Sequence, residues 1–158
     1  MIAITEEGFE IIMDSLDTEI VSLLQQDGRY PNAAIARHVG VSEGTVRRRL
    51  KKLFNEEYIH VKALLDPLKM GYGSEALLGV QVDPDKIEYV ANKLAGLKEI
   101  NWIAVTTGAF DVFAWVTLPT SEKLGLFLSS KVGVISGIRR TETFVSLNVK
   151  KRSYSFEV

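Results

Sequence analysis

The sequence predicts an α+β chain: an N-terminal helix-turn-helix unit of the winged type, followed by a ferredoxin-like βαββαβ unit. Three observations predict it. Residues 32–54 (NAAIARHVGVSEGTVRRRLKKLF) hold two helix-period apolar patterns on either side of one glycine. Residues 66–73 (DPLKMGYG) gather a proline and two glycines, the composition of a domain boundary. Residues 74–158 repeat strand, proline-led helix, loop and strand at a shift of 35 positions.

Taken in order, residues 1–14 are weakly patterned and read as a frayed arm or a short helix around 9–13. A helix is expected over 15–26, with Leu16, Ile20, Leu23 and Leu24 as its stripe. Asp17 and Glu19 suit its positive N-terminal end. Asp27-Gly28 stops it, and Arg29-Tyr30-Pro31 leads onward. Asn32 fits an N-cap, and Ile35, Ala36 and Val39 share one face of a second helix. Small Ala36 allows a close helix crossing. Gly40 tolerates the left-handed conformation of a sharp turn, and Val41 plugs the corner. Ser42 is a second N-cap. Val46, Leu50, Leu53 and Phe54 then fall at i, i+4, i+7 and i+8, opposite a face of Thr45, Arg47, Arg48, Arg49, Lys51 and Lys52. Asn55-Glu56-Glu57 ends this third helix. Residues 58–65 (YIHVKALL) alternate enough for a strand, either a small wing or a link to the next unit.

In the second unit, strands are expected over 75–82, 101–107, 111–118 and 138–149, and helices over 84–95 and 120–130. Ile87, Val90, Ala91 and Leu94 face inward on one helix; Leu124, Phe127 and Leu128 do so on the other. The repeat aligns Pro84 with Pro119, Ile103 with Ile138 and Thr106 with Thr141. Two such copies place both helices on one face of a four-stranded sheet. Residues 76–80 (ALLGV) and 112–116 (VFAWV) are apolar on both faces. The uncovered face would expose a patch too large for a soluble monomer. A second copy about a two-fold axis is the simplest cover, and a dimer would present two recognition helices to paired half-sites.

Composition is globular, with 46% hydrophobic and 25% charged residues. No apolar run reaches membrane-spanning length, and the N-terminus lacks a basic leader region. There is no cysteine, hence no disulfide framework or thiolate metal site. A cytoplasmic protein is expected. The net charge of −1 alone argues against a nucleic-acid partner, but its distribution reverses that. Residues 1–27 carry seven acids and no Lys or Arg; residues 28–65 carry eight Lys or Arg and three acids. Phosphate binding follows the local patch.

The candidate partner is therefore double-stranded DNA. Ser42, Gly44, Thr45, Arg47 and Arg48 lie in the first turns of the recognition helix, where base edges are reached. Arg49, Lys51 and Lys52 lie further along and suit phosphates, with Arg37 and Lys62 as lesser candidates. A second candidate site surrounds Gly108-Ala109-Phe110-Asp111. Gly108 permits a turn that frees N–H groups for a carboxylate, Asp111 could pair with an ammonium, and Thr107, Thr141 and Thr143 offer hydroxyls. That is the chemistry of a small amino-acid effector. Spacing alone favours a hairpin turn in which Gly108 and Asp111 only satisfy the backbone.

Catalytic, metal and cofactor sites are not expected. His38 and His60 are the only histidines, and there is no HExxH, GxSxG, Walker loop or GxGxxG. Trp102 and Trp115 read as core. The ordered set Leu16-Asp17, Asp27-Gly28-Arg29, the helix-turn-helix, Leu65-Asp66-Pro67, Gly108-Ala109-Phe110-Asp111 and Thr141-x-Thr143 resembles the Lrp/AsnC, or feast/famine, family of transcription regulators over about residues 16–152. The resemblance implies that residues 74–158 are an amino-acid-sensing RAM domain, linked by 66–73 to a DNA-binding domain over 15–65. It also implies dimers paired through their sheets, often assembled further as octamers, with Thr107, Gly108, Phe110, Asp111, Thr141 and Thr143 near an effector. An enzyme on a similar scaffold, of the sirohaem decarboxylase type, is the alternative. It would want histidine in the C-terminal half, and both histidines precede Asp66.

Overall fold

The computed structural model describes residues 2–5, 8–11 and 13–152, the first two segments by their backbone alone. The chain divides into two compact units, one up to Leu64 and one spanning Leu65–Arg152.

The first unit opens with an antiparallel hairpin of β1 (Ile2–Thr5) and β2 (Gly8–Ile11), in register Ile2↔Ile11 to Thr5↔Gly8. This replaces the arm or 9–13 helix expected there. Apolar residues at positions 2, 4, 9 and 11 have period two, not 3.6, and Gly8 disfavours a helix. Three helices follow: α1 (Ser15–Gln26), α2 (Asn32–Val39) and α3 (Glu43–Asn55). The Asp14 side chain caps α1 by accepting from Asp17 N–H. Asn32 is not a cap. Pro31, its φ fixed at −65°, occupies the cap position, and its carbonyl accepts from Ala34 and Ile35. Gly40 ends α2 in the left-handed region at φ 72°, which a side chain would strain. Ser42 caps α3 by accepting from Thr45 N–H. Ile20, Leu23, Ile35, Ala36, Val46 and Leu50 close the core between the helices.

Residues 58–65, expected as a strand, form none. Glu57 takes a left-handed φ of 59°, and the N–H groups of Tyr58 and Ile59 turn back to Leu53 O. The start of the segment therefore finishes α3, and among the described residues no strand pairs with the rest. Alternation supplies a strand's side-chain pattern but not the partner its ladder requires.

The second unit contains β3 (Ser74–Val82), α4 (Ile87–Ala95), β4 (Ile100–Val105), β5 (Val112–Leu118), α5 (Ser121–Phe127) and β6 (Ile138–Val145). The sheet order is β4-β5-β3-β6, antiparallel throughout, as the ferredoxin-like reading requires. The two helices depart slightly from expectation. Residues Pro84–Lys86 form a 3₁₀ turn before α4, and α5 widens into a π turn over Leu128–Val132. Ala76, Leu78, Val80 and Val82 of β3 and Val112, Ala114, Val116 and Leu118 of β5 pack against Val90, Leu94, Leu124 and Phe127. Most of these are fully buried. Each buried Val, Leu or Phe side chain among them contributes roughly 1.5–3 kcal/mol.

The other sheet face is apolar and open. Antiparallel partners point to the same side, so the register sets Trp102, Trp115, Leu77 and Phe144 in one row across all four strands. Trp102 is 53% exposed and Phe144 48%. The next row is Ala104, Phe113, Gly79 and Glu142. Phe110 folds over Gly79 and meets Phe113 and Phe144 edge-on, at ring separations of 5.3 and 6.2 Å. A Cβ on Gly79 would lie 2.9 Å from the Phe110 ring, so only glycine admits it. At the start of β3, buried Glu75 accepts from Trp115 Nε1 at 3.0 Å and from Arg152 at 2.7 and 2.8 Å.

Candidate functional site

The recognition helix α3 begins with a self-contained polar knot. Ser42 Oγ accepts from Thr45 N–H at 3.1 Å and lies 2.9 Å from Thr45 Oγ1. Gly44 is exposed, and a Cβ there would meet nothing nearer than Ser42 Oγ at 3.8 Å. Gly44, Arg48, Lys51 and Lys52 then recur at i, i+4, i+7 and i+8 along the outer face, all exposed. Arg48 and Lys51 have no ion-pair partner among the described residues. Arg47 pairs with Glu43 at 2.7 Å, but both are exposed, so water and salt weaken the bond. Lys52 stands 3.9 Å from Glu56, also exposed. Arg37 is exposed on α2 and Lys62 on the segment after α3.

Arg49 sits elsewhere. It is half-buried and points toward α1, with Nη1 3.2 Å from Asp17 Oδ2 and a second bond to Asp14. The expectation that Arg49 faces phosphate with its neighbours is not matched by this placement. Its position three residues after Val46 and four before Leu53 puts it at the border of the buried stripe, a signal present in the sequence. The N–H of Asp17, with Arg49 beside it, holds the Asp14 carboxyl below the usual carboxylate range. The bond to Asp14 raises Arg49 further above its own.

The hairpin between β4 and β5 is tied at several points. Asp111 O accepts from Thr106 N–H at 2.8 Å, and Phe110 O accepts from Thr106 Oγ1 at 2.9 Å. Gln81 Nε2 donates to Ala109 O at 2.8 Å. Asp111 Oδ2 accepts from Val82 N–H at 2.7 Å, and Arg139 lies 3.8 Å away. Thr107 and Gly108 are exposed, with Gly108 at φ 113°. Thr143 and Thr141 pair with Leu78 and Val80, so they share the helix-covered face. Phe110 lies on the opposite, open face. Thr141 is also two strands from Val112, about 10 Å across the sheet. Within one chain, the structure joins Thr107, Gly108, Phe110 and Asp111 in one hairpin but does not bring Thr141 and Thr143 to it.

Two ion pairs in this unit, each with a shielded carboxylate, carry no short-range sequence signal, because their partners are far apart in the chain. One is Glu75 with Arg152; the other is Glu99 with Lys131, at 2.7 Å. The latter borders a cleft of ≈ 260 Å³ lined by Leu118, Pro119, Lys123, Leu126 and Phe127, at the sheet end away from the hairpin. The hydrogen bond from Lys131 holds the Glu99 carboxyl below its usual range. Among the described residues, no group of three or more His, Asp or Glu side chains could hold a metal ion. No helix among them is long and apolar enough to cross a membrane.

The model of the AsnC-type helix-turn-helix domain matches residues 13–53, and that of the Lrp/AsnC ligand-binding domain matches residues 75–156. An uncharacterised HTH-type transcriptional regulator of Pyrococcus furiosus is 43% identical over 145 residues, covering 91% of this chain and 98% of that protein. The regulatory protein AsnC of Haemophilus influenzae is 34% identical over 137 residues, covering 85% and 91%. The structure of E. coli AsnC superposes with a TM-score of 0.87 at 25% identity, covering 94% of this chain and all of that one. A Neisseria meningitidis transcriptional regulator in complex with L-Met shares the fold, with a TM-score of 0.84 at 23% identity over 91% of this chain and 96% of that one.

Proposed function

Because the chain belongs to the Lrp/AsnC family, DNA-binding transcriptional regulators with a ligand-binding domain, we propose that it reads a specific operator sequence as a homodimer and that an amino acid tunes the reading. One observation carries the DNA half. The outer face of α3 presents Gly44, Arg48, Lys51 and Lys52 in line behind a capped first turn. A guanidinium there can bond both O6 and N7 of a guanine, while the lysines meet phosphates.

Dimerisation is supported by the row Trp102, Trp115, Leu77 and Phe144 on the uncovered sheet face. A second copy would bury the same row against itself about a two-fold axis. Further assembly of dimers is in keeping with this reading and would supply neighbours for the hairpin. The effector half is supported by the exposed hairpin at Thr107 and Gly108, by the carboxylate of Asp111, and by the L-Met bound to a protein of the same fold. Arg139 beside Asp111 adds a cation for a ligand carboxylate.

A gel shift with duplex from upstream of the chain's own coding sequence tests both halves. Retardation should weaken steeply with salt and should change with at least one amino acid from the standard panel. Equal retardation of unrelated duplex would refute operator reading. Indifference to the whole panel would refute the effector.

A further inference from the structure

Two opposite charges occupy positions where helical period calls for apolar side chains. Asp17, Ile20, Val21 and Leu24 follow i, i+3, i+4, i+7 on α1; Val46, Arg49, Leu50 and Leu53 follow the same spacing on α3. The structure puts these two stripes face to face. Asp17 is 3% exposed, and its Oδ2 accepts from Arg49. Asp17 Oδ1 is buried without a hydrogen-bond partner, so Arg49 is the charge that answers this carboxylate. The same guanidinium nitrogen donates to Asp14, the N-cap of α1. Two leucines would fill the space, but they would fix no angle. Arg49 Nη1, shared between two carboxylates, instead ties α3 to the cap and the first turn of α1.

We propose that Arg49 is a positioning residue for DNA reading: held by Asp14 and Asp17, it sets the rotation of α3 and so the direction in which its neighbour Arg48 meets the bases. Adjacent residues on a helix are about 100° apart, so an inward Arg49 fixes an outward Arg48. The acidic first helix is then part of the DNA-reading machinery, although its charge repels phosphate. This role rests on the DNA reading proposed above.

The test exploits opposite signs. Asp14→Asn keeps a helix cap of equal rank and removes one of the two charges that Arg49 meets. Asp17→Asn removes the other. Charge alone predicts that losing either acid tightens binding to duplex. Positioning predicts that each variant binds the operator roughly fivefold or more weakly, the scale of one impaired base contact, while affinity for random duplex does not fall. Arg49→Gln removes the charge that both acids meet and should share the operator defect with an unchanged salt slope, whereas loss of a phosphate contact would lower that slope.

Operator affinity unchanged or improved in both Asp variants overturns the proposal. So does a salt slope that drops by about one unit in Arg49→Gln. Circular dichroism of each variant checks that α1 and α3 remain folded, and Asp14→Asn, exposed at the surface, supplies the reading if Asp17→Asn unfolds. Wild-type protein indifferent to every duplex is a different result: it removes the DNA reading, and the positioning role with it.

Discussion

The two units treat their surfaces in opposite ways. The helical unit closes its core on itself and turns a charged row outward along α3. The sheet unit closes one face under α4 and α5 and leaves an aromatic row on the other. A cationic face in water is already complete: it needs no cover and is ready for a polyanion. An aromatic face is not, because each exposed ring keeps the cost of contact with water until another surface meets it. In the function proposed above, DNA falls to one unit and self-association to the other.

Mutations test this contrast, beginning with the two faces of the sheet. Leu78→Ala, on the covered face, should cost about 3 kcal/mol in urea unfolding, because it empties a fully buried site. Phe144→Ala, on the open face, should cost less than about 1 kcal/mol in dilute chain but shift sedimentation toward monomer. Equal unfolding costs would mean that the open row is core after all. In the helical unit, Arg49→Ala should cost about 2 kcal/mol, less than for a fully buried pair because the guanidinium is 28% exposed. Gly40→Ala should cost about 1 kcal/mol through its left-handed φ.

Smaller effects separate the cations. Lys52→Ala should leave stability within about 0.5 kcal/mol and lower the salt slope of DNA binding by roughly one unit for all duplexes alike. Arg48→Ala should instead weaken operator binding more than random binding, which competition gel shifts would measure. The smallest effect is in acid. Asp14 and Glu99 have folded values below their ordinary 3.8 and 4.5. Their contributions are complete above those ordinary values and disappear as pH falls through the lower folded ones. Asp14→Asn and Glu99→Gln should therefore flatten the acid limb of the stability curve without changing its slope above pH 6, where both acids are fully ionised in either state.

Where the sequence succeeded, the signal was local. Ser42 and Gly40 mark the recognition helix because capping and left-handed turns are decided within four residues. Both apolar sheet faces followed from the continuous apolar runs in β3 and β5. Where it failed, the deciding partner lay elsewhere or the local competition was close. Residues 58–65 alternate, but their first N–H groups finish α3. Asn32 loses the cap to Pro31, whose fixed φ places its carbonyl for the first turn. Arg49 belongs to a cationic run by composition and to a buried stripe by phase; Asp14 and Asp17, 35 and 32 residues earlier, decide between them. The hairpin residues are adjacent in sequence and legible together, whereas Thr141 and Thr143 come from an edge strand on the other face.

The ring of Phe110 rests in a space that exists only because position 79 has no side chain. Substituting either residue alone therefore leaves a clash or a hole, and the two must change as a couple. The tip of the turn and the middle of β3 are thus one mechanical piece. Through the same ring, the 108–111 turn touches Phe113 and Phe144 on the open face.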